Sequence, residues 1–423
     1  MAMQIYSSRL ANGRRLPILF RTTPSQPLLV PFLFVTLKRQ YKAFKTIKND
    51  LGAIQAFYEF QSQKAPHLDV DELIIDGQLS VLIEDIEQFL AWLSVGRKAS
   101  NIAGRIGKKD LGQFLGISPT TRDKYLKSLK AFFIWCSQRY PSRTSENEGL
   151  EQVFSLSAAS VTSRFDSYLV SSASHQVNFK SLSDEEIAAI REFSHPLAPQ
   201  NPFRKKNRFR NWLILETFIE TGIRIGETAL LTTTSISKGR VHCYLSVVNR
   251  SDAGEDLRSS KPSLKNAGSQ RTIGISESLY EKIQAYVIHQ RRPSRHGRPM
   301  KLKNGYLWVS ERGTPMALNS IASMFSTLIN AIQARNPKLL ESASPHSFRH
   351  TFAERFLEYL IEVKGYDMER AKDEMRAICG WTDSSDMPSY YTRRYVHNSA
   401  NGHNSERVNA AWERLKTAPS PLP

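Results

Sequence analysis

Ser344-Pro345-His346-Ser347-Phe348-Arg349-His350-Thr351-Phe352 reads as the opening of a helix with two different faces. Ser344 is a helix cap, and Pro345 suits the first helical position, where its missing N–H leaves no bond unmade. Phe348, Phe352 and Phe356 recur at every fourth residue and make the core face. His346 and Arg349, three apart, share a neighbouring face and can reach one ligand. Working outward, apolar spacings of three and four predict helices at Leu279–Ile288, Ile321–Ile332 and Ser344–Leu360. Upstream, the capping box Ser183-Asp184-Glu185-Glu186-Ile187 opens another, and the basic run Phe203–Arg210 precedes one at Trp212–Glu220. Strand-like stretches lie at Val241–Val248 and Arg271–Ile275, with a turn at Gly268 between them, and a short one at Tyr306–Val309. The second half is therefore mainly α with a small antiparallel sheet, an α+β pattern.

The first half reads differently. Its first thirty residues mix Pro, Ser, Thr and Arg and predict an irregular basic arm. Helices follow at Thr46–Phe60 and Val81–Leu93, and a third opens at the cap Ser118-Pro119 and runs through Trp135. Residues 121–135 match 46–60 at an offset of 75, with Thr, Leu, Ala and Phe coinciding. That is either a duplicated helical unit or a pattern that two amphipathic helices with aromatic ends share. Arg97–Pro119, rich in Gly and Lys, predicts a loop or short helical pieces. Ser142–Gly149 and Ser155–Ser174, rich in Ser, Thr, Asn and Glu, are the linker candidates. An all-helical N-terminal region, separate from the second half, is the expectation.

Across 423 residues, 58 Lys+Arg against 40 Asp+Glu leave 58 − 40 = +18, a charge that makes a polyanion, and nucleic acid first, the expected partner. The apolar stretch Pro27–Leu37, broken by Pro31, falls short of the ~20 residues of a membrane helix. Arg14, Arg15 and Arg21 before it argue against a signal peptide. Cys136, Cys243 and Cys379 are isolated and odd in number, which supports neither a disulfide framework nor a cysteine zinc site and points to a reducing, cytoplasmic setting.

Two further motifs carry chemistry. In Thr221-Gly222-Ile223-Arg224-Ile225-Gly226-Glu227, Gly222 can end one helix in the left-handed conformation and put Arg224 in the first turn of the next, where it can face an anion. Glu227 reads as a structural partner. Near the C-terminus, Cys379-Gly380-Trp381 precedes Tyr390-Tyr391-Thr392-Arg393-Arg394-Tyr395, which in isolation reads as core aromatics beside a solvated face. A zinc site at His346 and His350 is disfavoured, because the metalloprotease motif needs Glu where Ser347 stands.

Taken in order, the Thr-Gly-x-Arg-x-Gly-Glu box at Arg224, the His-x-x-Arg-His box at His346 and Arg349, and the late Trp381 followed by Tyr391 resemble the signature of the tyrosine recombinases, the phage-integrase type of site-specific DNA recombinase. The likeness spans most of residues 70 to 400 and includes a typical catalytic-domain opening at Leu182–Ile187. It implies three parts: a basic extension and helix over 1–66, a helical DNA-clamping (core-binding) domain with linker over 67–177, and a catalytic domain with a tail helix over 178–423. It further implies that Arg224 and Arg349 grip the non-bridging oxygens of the scissile phosphate, that His346 hydrogen-bonds it, and that Trp381 packs and donates its indole N–H. The remaining member is a Lys between two strands. Lys265 fits that place better than Lys261, which precedes a proline. Tyr391 matches the local pattern of the nucleophile, while counting from Trp381 favours Tyr390.

The implied reaction is attack of a Tyr hydroxyl on a DNA phosphodiester, with a 3′-phosphotyrosyl intermediate and Lys265 protonating the leaving 5′-oxygen. No metal, ATP or other cofactor is implied, and the sequence has no Walker motif. The expected partners are double-stranded DNA and three further copies of the chain, as a homo-tetramer on paired sites, on a bacterial nucleoid. The rivals are a type IB topoisomerase and a DNA-binding protein of the same fold without chemistry. The segment after Ser399, with Val408, Ala411, Trp412 and Leu415 at helical spacing, either reaches a neighbouring copy or folds onto its own domain.

Overall fold

Two compact units, Met1–His175 and Gln176–Pro423, make up the chain. The structure is a computed structural model that describes residues 2–10, 15–95, 117–140, 158–169, 181–249, 256, 258, 262, 264, 267–291, 294–295, 298–299, 302 and 304–417.

The first unit opens on a sheet rather than an irregular arm. Strands β1 (Met3–Arg9), β2 (Arg15–Thr22) and β3 (Ser25–Pro27) pair antiparallel, with Met3 opposite Arg21 and Arg9 opposite Arg15. Its Ser, Thr and Pro suggested a loop, but Leu16 and Leu19 are buried and Tyr6 packs edge-on against Phe20 across the strands. Helices α1 (Leu29–Leu33), α2 (Phe44–Lys64), α3 (Val70–Ile75), α4 (Leu79–Glu84), α5 (Ile86–Val95), α6 (Pro119–Arg139) and α7 (Ala158–Tyr168) follow. The stretch predicted as one helix over 81–93 falls in two, α4 and α5, broken at Asp85, whose carboxylate takes Gln61 Nε2 at 2.9 Å and Lys64.

The matching segments are α2 and α6, each 21 residues long, and they pack on one another. Phe57 meets Phe133 edge-on at 5.4 Å, and Ser128 donates to Asp50 at 2.7 Å. Part of the expected linker is helical, since α7 buries Val161 and sets Phe165 5.8 Å from Phe133. The expected loop at 97–116 and the linker candidate at 142–149 lie outside the described residues.

In the second unit, α8 (Asp184–Ser194) starts at the predicted capping box, with both of its hydrogen bonds formed. Next come α9 (Lys205–Thr221), which absorbs most of the basic run, and the short α10 (Ile225–Leu230). Strands β4 (Ile236–Lys238), β5 (Cys243–Val247) and β6 (Arg271–Ile275) form an antiparallel sheet in the order β4-β5-β6, with Leu245 opposite Ile273. After α11 (Glu277–Ala285) and a two-stranded hairpin of β7 (Ser294–Arg295) and β8 (Arg298–Pro299), Tyr306 and Val309 make isolated bridges rather than a strand. Helices α12 (Leu318–Arg335), α13 (Pro345–Glu358), α14 (Met368–Cys379) and α15 (Met387–Thr417) complete the unit. The mainly α fold with small antiparallel sheets is thus the observed one.

Helix α13 is central because it borders two cores. Phe348 joins the one around Phe218 and Phe325, while Ala353 and Leu357 join the one shared with α14 and α15. Phe352 and Phe356, predicted on the core face, stack on each other at 5.9 Å and stay half-buried beside Ile187 and Ile219 at a surface cavity. Residues 400–414 of α15 are all exposed, Val408 and Trp412 among them.

Because Phe133 is fully buried against Phe57, Phe132 and Phe165, Phe133→Ala leaves a cavity that α2, α6 and α7 cannot all close. Urea unfolding should show a loss of about 3–5 kcal/mol for that variant.

Candidate active site

Arg224 sits just ahead of α10, in a turn that Gly222 makes possible. Gly222 ends α9 with φ +55°, and a Cβ there would lie 2.6 Å from the Phe352 ring, so glycine is required on two counts. Arg224 donates its backbone N–H to Glu227 at 2.9 Å and its Nη1 to the other oxygen of the same carboxylate at 2.6 Å. Arg271, which begins β6, donates Nη2 to Glu227 at 3.0 Å. Glu227 therefore joins two arginines, as a structural partner should.

The end of α14 faces this cluster. Gly380 closes that helix at φ +60°, where a Cβ would lie 2.8 Å from Arg271 Nη1. Three successive carbonyls there accept from three guanidinium groups: Ile378 from Arg271 Nε at 2.6 Å, Cys379 from Arg349 Nη2, and Gly380 from Arg224 Nη2 at 3.4 Å. The negative end of the helix dipole suits them. Arg349 also donates Nη1 to the Gly222 carbonyl at 3.0 Å, so one side chain ties the ends of α9 and α14 together. Three guanidinium charges around one carboxylate leave 3 − 1 = +2 in a largely buried place.

Burial pushes the Arg349 guanidinium down to about 10, which leaves it charged at neutral pH. Burial alone would push the Glu227 carboxyl up, but Arg271 and Arg224 outweigh it and hold the group below the ordinary 4.5.

Aromatic rings close the site. Arg349 lies over the Trp381 ring at 5.5 Å, and Trp381 stacks on Tyr391 at 5.6 Å and 17°. Tyr391 is the buried tyrosine of the pair, while Tyr390 is half-buried and meets it edge-on. The Tyr391 hydroxyl contacts His350 Nδ1, and burial raises its pKa well above the ordinary phenol value. His346, in the first turn of α13, is exposed, with its ring 4.9 Å from that of His350. Arg224, Arg349, Trp381 and Tyr391 are thus brought together, with His346 at the edge. Lys265 and Lys261 lie outside the described residues. Among the described residues no three His, Cys, Asp or Glu side chains gather as a metal site.

Arg271 is the member that sequence reasoning missed. Its signal was present, because it shares a strand face with the buried Ile273, where an arginine needs a partner. His350 was weighed only as a metal ligand.

A family model described as "Phage integrase family" matches residues 180–399, just over half of the chain, and all of these side chains fall within that range. The chain belongs to the phage integrase family. This family member is 27% identical over 199 residues to the tyrosine recombinase XerD of Halalkalibacterium halodurans, across 46% of the chain and 52% of that protein. The match thus spans about half the length of that relative. Among solved structures, the XerH site-specific recombinase bound to palindromic difH substrate, a post-cleavage complex, superposes with a TM-score of 0.52 at 15% identity, over 88% of this chain and 82% of that one. The XerH pre-cleavage complex with difH gives 0.51 at 17% identity, over 89% and 85%. At such identities the likeness is one of fold.

The Glu227 carboxylate has its pKa depressed by folding, so its contribution to stability is present above pH 4.5 and is lost as pH falls through the folded value. Glu227→Gln removes that contribution and leaves buried arginines without their counter-charge. Thermal unfolding at pH 7 should show a loss of about 3–5 kcal/mol, with a shallower acid limb below pH 4.5 than in the parent.

Proposed function

We propose that the chain is a site-specific DNA recombinase that cuts and rejoins strands through a 3′-phosphotyrosyl intermediate. The observation that carries this reading is the convergence of Arg224, Arg349, Trp381 and Tyr391 on the end of one helix. Attack on a phosphodiester puts extra negative charge on the non-bridging oxygens. Guanidinium groups already clamped by backbone carbonyls meet that charge without reorganising. In this reading Arg224 and Arg349 hold the two oxygens and exposed His346 adds a hydrogen bond. Trp381 orients Tyr391 by stacking, Tyr391 attacks, and Lys265 supplies the proton for the leaving 5′-oxygen.

The +18 charge supplies the sequence-independent part of DNA affinity, with residues 67–177 clamping the duplex and 178–423 cutting it. Cys136, Cys243 and Cys379 are all free and buried, which fits a reducing compartment, and DNA as the partner would place the chain on the bacterial nucleoid. Exchange between two duplexes needs four copies of the chain, and the exposed end of α15, carrying Val408 and Trp412, is suited to reach a neighbour rather than its own domain.

Cleavage of duplexes taken from the DNA flanking the gene tests the chemistry. Arg224→Ala and Arg349→Ala should each slow covalent-complex formation by at least about 10³-fold. Either should weaken duplex binding by no more than one phosphate contact among many, seen as a salt slope shallower by about one. Tyr391→Phe should abolish the adduct and Tyr390→Phe keep it; peptide mapping of the trapped complex to Tyr390 would move the nucleophile by one residue.

Assembly is tested by ending the chain at Ser399. Gel-shift titration should show single-site binding kept and the four-copy complex on paired sites lost, and unchanged recombination would exclude the tail from assembly.

A further inference from the structure

His350 has no part in the reaction as described so far, yet it touches the atom that would attack. Its Nδ1 is hydrogen-bonded to the Tyr391 hydroxyl; His350 is 3% exposed and Tyr391 1%. The two rings lie 5.9 Å apart at 39°. We propose that His350 is the general base that takes the phenolic proton from Tyr391 as the tyrosine oxygen bonds to phosphorus. The inference rests on Tyr391 being the nucleophile, as proposed above.

Elimination among the neighbouring groups supports it. Arginine side chains are donors only, so Arg224, Arg271 and Arg349 cannot receive a proton. Glu227 and Glu354 are acceptors, but Arg224 and Arg271 engage the first carboxylate and hold it ionised, and Arg394 pairs with the second at 2.8 Å; burial pushes the Cys379 thiol up and keeps it protonated. Burial raises the Tyr391 pKa, so the phenol does not ionise in advance and must lose its proton during attack. Burial first, then the charges of His346, Arg349 and Arg394, push His350 down to about 3, which leaves a neutral imidazole with a lone pair to offer. Its imidazolium form is costly beside those cations in the free chain. A phosphodiester seated among the arginines offsets that cost, so the base becomes effective only once DNA is bound.

The step balances as follows. The Tyr391 O–H bond breaks and its proton moves to His350 Nδ1, while the oxygen's electron pair forms the bond to phosphorus. The bond from phosphorus to the 5′-oxygen breaks, and that oxygen takes a proton from the general acid. In rejoining, His350 returns its proton to the departing Tyr391 oxygen.

The test uses a suicide duplex that the wild-type full-length chain cleaves, made with an ordinary phosphate and again with a 5′-bridging sulfur, a leaving group that needs no proton. His350→Phe keeps a ring in the buried space without a nitrogen, and His350→Ala opens that space to added imidazole. Both variants should bind the duplex as the parent does and form the covalent complex about 10²-fold more slowly on both substrates. Imidazole should restore part of the rate to His350→Ala, which a structural role would not allow. Parental cleavage by His350→Phe would overturn the proposal, as would full recovery on the sulfur substrate, which would move His350 to the leaving-group side. An adduct that survives Tyr391→Phe would instead strike at the nucleophile assignment on which the proposal rests.

Discussion

Three arginines held on the last carbonyls of one helix are the interaction on which the site depends. Helix α14 ends at Gly380 with a left-handed residue, and the carbonyls of Ile378, Cys379 and Gly380 then fan outward to meet Arg271, Arg349 and Arg224. Unpaired, those carbonyls would carry the cost of any exposed helix end, and the guanidinium groups would repel one another. Together they satisfy both needs. Glu227 completes the set from below, and its near-total burial is tolerable because each oxygen has an arginine partner.

From this arrangement the roles of distant elements follow. The sheet presents Arg271 at the start of β6, and the end of α9 offers Arg349 a second carbonyl at Gly222. Helix α13 must lie between two cores so that Phe348 anchors one side and Leu357 the other, which fixes the direction of Arg349. Arg349 over the Trp381 ring and the stack of Trp381 on Tyr391 then carry the cluster into the aromatic layer. Backbone dipoles and one carboxylate share the work of holding this concentrated positive charge.

Much of this was legible in the sequence, wherever the signal was local. Capping at Ser183 and Ser344, the glycine stop at Gly222 and the period of the helices all depend on residues within one or two turns. Arg224, Arg349, Trp381 and Tyr391 were legible through ordered motifs, and they do converge. What was not legible depends on long separations. Arg271 meets Ile378 across 107 residues, and no spacing rule connects them. The N-terminal sheet was hidden because β2 buries only Leu16, Pro17 and Leu19 within a run rich in turn-forming residues. Helix α7 was hidden by its serines, since the buried stripe it carries is as short as Val161 and Phe165. The pattern favoured Tyr391 and the count from Trp381 favoured Tyr390, and neither signal carries burial, whereas the structure buries Tyr391 on the very groups it would act with.

Gly380 gives the site a weakness that chemistry alone would not suggest. Its missing side chain leaves the space that Arg271 Nη1 fills, and any Cβ there would displace that arginine. Glu227 would then keep Arg224 as its sole guanidinium partner in this cluster, and the carboxylate would draw Arg224 toward itself and away from a bound phosphate. Inactivation could thus arise at a residue that bears no functional group, through a single methyl whose effect is to redistribute charge.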